Sequence, residues 1–143
     1  MNDRLMKDGY DVFTKDDGAH VRVWGSTERE LFSRALLGLA AVLRPDIAPQ
    51  GGKTVRIRTH IHGKDLPDTL ERFLAHVVFE SDMHDAVFSA ADFIVVSEKE
   101  VECELIGKEV EHKEEEIIHV FLDRPPAHGL DRRWEAEFVC EVL

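Results

Sequence analysis

A chain of 143 residues, 43% apolar and 33% charged, has the balance of a soluble globular protein with one domain large enough to bury a core, and not that of a disordered or fibrous one. Its formal charge of −11 at pH 7 repels phosphate backbones, which argues against strong direct nucleic-acid binding and favours a basic protein partner or a bound cation. No apolar run approaches the roughly 18 residues of a spanning helix, and the opening Met1-Asn2-Asp3-Arg4 lacks the basic-then-apolar layout of a secretory signal, so the expected location is cytoplasmic, with no membrane contact.

Residues 1–8 read as a polar lead-in to a single domain spanning 1–143. Tyr10 to Phe13 predicts a short strand, Thr14 to Gly18 a polar turn, and His20 to Trp24 a second strand with the period-2 alternation of a half-buried element, closed by Gly25. Thr27 with Glu30 three residues on forms a capping box that opens a helix. Leu31, Phe32, Ala35, Leu36, Leu39 and Leu43 give that helix its apolar face, and Pro45 stops it. Asp46 to Lys53 reads as a loop. In Thr54 to His62, Val55, Ile57, Thr59 and Ile61 face one way and Arg56, Arg58, His60 and His62 the other. Asp65 caps a second helix with Pro67 in its first turn and Leu66, Leu70, Phe73, Leu74 and Val77 inward. Phe88 to Ser97 and Val101 to Ile106 predict a hairpin joined near Glu98-Lys99. Ile117 to Leu122 is a further strand, Pro125-Pro126 and Gly129 mark a long turn, and Trp134 to Val142 alternates as a closing strand. The order ββαβα followed by four strands implies an α+β fold, with two helices packed on one side of a largely antiparallel sheet.

Cys103 and Cys140 lie far apart inside apolar-alternating segments, which reads as buried small hydrophobes and excludes a cysteine-rich zinc site. His60 and His62, at i and i+2, point the same way and could share a metal ion, although a solvated strand face accounts for the same pattern. His76, His84 and His112 are expected on the surface. His119 interrupts an apolar strand and is expected to be hydrogen-bonded and partly buried. The many carboxylates between Glu98 and Glu116 are expected to do no more than solvate. Glu135, Glu137 and Glu141 share the polar face of the last strand, and Asp16 and Asp17 crowd the first turn. Oxygen ligands from those two segments, Asp16-Asp17 and Glu141, would suit a hard divalent ion. No phosphate-binding glycine loop, HExxH or GxSxG motif is present.

Taken together, Tyr10-Asp11-Val12-Phe13, the turn, Val21-Arg22-Val23-Trp24-Gly25 and Thr27-Glu28-Arg29-Glu30-Leu31-Phe32 resemble the opening of archease proteins. The second helix from Asp65-Leu66 to Phe79-Glu80, the Phe88 strand and the closing Trp134-Glu135-Ala136 are similar in order and spacing. The resemblance implies a non-enzymatic accessory protein that helps a GTP-dependent RNA-splicing ligase load guanylate, through a bound divalent metal (Ca, Mn or Mg). Carried over, the family's C-terminal aspartate falls on Glu141, with Val142 supplying the backbone carbonyl. The turn aspartate falls on Gly18, so Asp17 becomes the substitute ligand, with Asp16 as a further oxygen. Two other readings stay open: an archease-fold module that has lost the metal and binds a different protein partner, and a small metal-dependent hydrolase built around His60 and His62.

Overall fold

The alternation that starts at Tyr10 does become paired strands, and they run further than the sequence suggests. The computed structural model describes residues 5–7, 9–44, 52–113, 115–129 and 131–143. Its elements are β1 (Leu5–Lys7), β2 (Tyr10–Lys15), β3 (Gly18–Gly25), α1 (Glu28–Leu43), β4 (Thr54–His62), α2 (Leu66–His84), β5 (Ala86–Val96), β6 (Glu100–Glu109), β7 (Ile117–His128) and β8 (Trp134–Val142). Part of the expected lead-in is thus a short strand that pairs with β2, and the expected turn at 14–18 tightens to Asp16-Asp17 because Lys15 pairs with Gly18.

Both helices start where their caps direct. The Thr27 hydroxyl accepts from the Glu30 N–H, and the Glu30 carboxylate accepts from the Ser26 N–H. Asp65 accepts from the Asp68 N–H ahead of α2. At the end of α1, Arg44 is extended, as a residue before proline must be, while its N–H still reaches the Ala40 carbonyl. The expected loop at 46–53 falls mainly outside the described residues.

The single sheet anticipated from the pattern is two, both antiparallel among the described residues: five strands in the order β1-β2-β3-β8-β7, and three in the order β4-β6-β5. Each helix packs against strands of both sheets. Val21, Val23, Ala136, Phe138 and Cys140 from the larger sheet, and Val101, Cys103 and Leu105 from the smaller, meet Phe32, Leu36, Phe73 and Leu74 in one core. Gly38 lets α1 approach β3 closely, since a Cβ there would collide with the Val21 side chain. Pro125 and Pro126 lie within β7, not in the expected turn. β7 is an edge strand, and its register against β8 slips on both sides of Arg124, so prolines without N–H donors cost the ladder little.

Candidate metal cleft and its histidine locks

The β2–β3 hairpin brings Asp16 and Asp17 to one rim of the larger sheet. Because β3 pairs with β8 at Ala19–Cys140, and β8 pairs with β7 at Glu141–His119, the same rim carries the end of the chain. Asp16, Asp17, Glu141 and Val142 accordingly line one cavity of about 250 Å³, together with Thr14, Lys15, Gly18, Ala19 and Glu115. All four expected residues line it, although among the described residues no three acidic or histidine side chains there bring ligand atoms within 4.8 Å of one another. Glu115 joins them; its place in the acidic run ahead of β7 gave no sign of this.

Two histidines hold the cleft's carboxylates. Asp17 Oδ1 lies 2.7 Å from His20 Nε2, and Glu141 Oε1 lies 3.2 Å from His119 Nδ1. The bond to His20 is the main reason the Asp17 carboxyl titrates below its ordinary range. His119 is exposed, contrary to the partly buried position expected: the register of β7 shifts between Ile117 and His119 on this edge strand, and the ring lies against Glu141 and Phe121.

His20 is not among the residues the sequence singles out. It is 2% exposed, stacked on Phe13, and its second nitrogen, Nδ1, lies 2.9 Å from Glu137 Oε2. Glu137 was expected on a solvated face and is instead 2% exposed, with Arg22 Nη2 at 3.6 Å from its other oxygen. Burial pushes the Glu137 carboxyl up, but His20 and Arg22 outweigh it and hold it low. Burial likewise pushes the His20 imidazolium down, and the bonds to Glu137 and Asp17 more than reverse it. The chain Asp17–His20–Glu137 therefore ties the cleft's hairpin to β8. Asp123 comes close enough for one ligand atom each of His20, Asp123 and Glu137 to lie within 4.8 Å of one another. Both His20 nitrogens and both Glu137 oxygens already face partners, and Arg22 supplies the local positive charge. The only sequence clue was the i, i+3 spacing of Asp17 and His20, since Glu137 is 117 positions away.

The model of the Archease protein family (MTH1598/TM1083) matches residues 14–120, about three quarters of the chain. The chain belongs to the archease family. The archease fold extends beyond the matched segment: the solution structure of Methanobacterium thermoautotrophicum protein 1598 superposes with a TM-score of 0.68 at 16% identity, covering 94% of this chain and 99% of that one. At that identity the likeness is one of fold. No curated protein matches the chain. The cleft's turn lies inside the segment matched to the family, and Glu141 and Val142 lie beyond it.

In this archease the donors at the cleft suit a hard cation. Its acidic lining residues are Asp16, Asp17, Glu115 and Glu141, with Val142 beside them and no cysteine or histidine among the lining residues. Lys15 is the one lining residue of opposite sign, and each histidine occupies one oxygen of its carboxylate partner. Gly18 has φ +135°, and a Cβ there would run into the Cys140 carbonyl. No helix among the described residues is long and apolar enough to cross a membrane.

Proposed function

We propose that this archease is a non-catalytic, cytoplasmic protein cofactor of a GTP-dependent RNA-splicing ligase, and that it holds one divalent ion (Ca, Mn or Mg) between Asp16-Asp17 and Glu141-Val142. What supports the reading above all is that these four residues, from opposite ends of the chain, line a single cavity. When bound, such an ion supplies positive charge able to stabilise a transferring phosphoryl or nucleotidyl group. The chain's own residues prepare its seat. His20 fixes the Asp17 carboxylate in its charged form, and anchoring to Glu137 keeps the hairpin in register with β8. His119 sets Glu141 across the cleft. The acidic surface leaves RNA to the partner.

The test is calcium or manganese titration of the wild type against Asp17→Asn and Glu141→Gln, followed by a multiple-turnover guanylylation assay with the ligase. The expected result is metal uptake and acceleration in the wild type, with both lost together in the variants. Acceleration that survives in both variants without metal uptake would remove the metal from the mechanism.

A second reading, a partner-binding archease without metal, is favoured by Lys15 in the cavity wall and by Gly18 at the ligand position. It expects acceleration or partner binding with no metal uptake at all. A hydrolase built on His60 and His62 finds less support, since those residues line neither this cavity nor the one beside Arg22 and Arg124.

A further inference from the structure

The outer face of the smaller sheet carries a ladder of opposite charges. Arg56 pairs with Glu104 and Arg58 with Glu102 across β4 and β6, and His60 takes the next place against Glu100. Toward its end the ladder changes character, because the cationic positions pass from guanidinium groups to two imidazoles. The rings of His60 and His62 lie 4.4 Å apart. Ligand atoms of His60, His62 and Glu100 all fall within 4.8 Å of one another. Arginine can only donate hydrogen bonds, whereas an imidazole offers a lone pair to a metal.

We propose that His60, His62 and Glu100 form a surface site for a divalent transition ion of the zinc class, distinct from the oxygen-lined cleft. Tetrahedral zinc with ligands at about 2.0–2.1 Å sets its donors about 3.4 Å apart, so closing the site needs side-chain movements of only about 1 Å. The backbone beneath is fixed. β4 pairs with β6 without a register shift from Thr54–Lys108 to His62–Glu100, and Ile61 between the two histidines is partly buried and packs against the core. The far end is pinned where the Gly63 N–H donates to the Lys99 carbonyl, the Thr69 hydroxyl donates to the Glu98 carbonyl, and the Ser97 N–H donates to the Glu100 carbonyl. Two imidazoles and one carboxylate select zinc, nickel or copper over calcium and magnesium, and leave a fourth position open to solvent. On ion uptake the Glu100 carboxylate changes from accepting the His60 N–H to ligating.

The experiment is calorimetric titration of zinc into the chelator-washed full chain, with cobalt absorption reporting coordination number. One equivalent is expected in the wild type, with affinity falling about tenfold or more in His60→Ala and, separately, in His62→Ala. Uptake should be unchanged in Glu141→Gln, in excess calcium, and in His84→Ala. All the ligands are exposed or half-buried, so circular dichroism of the variants should match the wild type. Zinc uptake unaffected by both His60→Ala and His62→Ala would overturn the proposal. So would loss only in His84→Ala, which would assign the ion to the His76, Glu80 and His84 face of α2, or loss only in His20→Ala. The outcome is independent of the cleft, whose failure would show in the calcium titration instead.

Discussion

Gly18 is the position on which the resemblance would place an acidic ligand, and its backbone disfavours an aspartate there. With φ +135° and the Cys140 carbonyl against the missing Cβ, Gly18→Asp is expected to cost about 1–3 kcal/mol in urea unfolding and to leave calcium affinity no higher. A rise in affinity at unchanged stability would show that the hairpin can re-register. The Asp16-Asp17 tip and Glu141 were legible as candidates because carboxylates in a turn and near a strand end are visible in one dimension. His20 and Glu137 were not, since alternation assigned Glu137 to solvent and only the β3–β8 pairing buries them together. Their titration sets a pH signature for stability. The His20 value is raised, so its contribution is complete below about pH 6.5 and is lost as pH rises through the folded value. Those of Asp17 and Glu137 are lowered, so theirs is complete above about pH 4.5 and is lost as pH falls through their folded values. With chelator present, the stability gap between wild type and His20→Ala should be widest between about pH 4.5 and 6.5 and narrower at pH 8.5. Urea midpoints showing a flat gap would contradict the paired, charged His20. The two cysteines give a simpler expectation. Burial pushes the Cys103 thiol up to about 11 and the Cys140 thiol up to about 12. The native chain should therefore resist iodoacetamide at pH 8, while the urea-unfolded chain reacts at both. Rapid native alkylation would mean that the core opens locally.

At the scale of elements, what could be read was what is encoded locally. Thr27 and Asp65 announced the helix starts because a cap satisfies backbone donors within three residues. Thr27→Ala and Asp65→Ala are each expected to lower stability by about 1 kcal/mol, and a shift in unfolding midpoint at unchanged slope is the measurement. No shift for Thr27→Ala would mean that Glu30 alone, bonded to the Ser26 N–H, holds the start of α1. What could not be read depends on partners distant in sequence. Pro125-Pro126 signals a turn in isolation, yet the residues sit in β7 because the edge position and the slipped register around Arg124 excuse their missing donors. The division into two sheets was equally hidden. The inward alternation of β3 and β8 is identical in kind to that of β4 and β6, and only the helices packed against both sheets reveal that these are separate layers around one core.

At the scale of the whole molecule, the charge of −11 should act on association more than on folding. On the function proposed above, the partner would carry a basic surface for RNA, and an acidic surface is steered toward such a surface while being repelled from RNA itself. The smaller sheet's outer face balances its acids with Arg56, Arg58 and Lys108, whereas Asp16, Asp17, Glu115 and Glu141 converge on the cleft with Lys15 as the basic lining residue. The field should therefore be strongest at the rim where the ion is proposed to sit. Screening sets the scale of the effect: the field reaches about 10 Å at 0.1 M salt and about 3 Å at 1 M. The rate of association with the ligase, followed by stopped-flow fluorescence, is expected to fall about tenfold or more across that range, while dissociation changes little. Lys15→Glu should steepen the dependence and Asp16→Asn should soften it, because each alters the charge at the rim without touching the core. An association rate indifferent to salt would place the contact on a neutral surface and detach the cleft from the partner altogether.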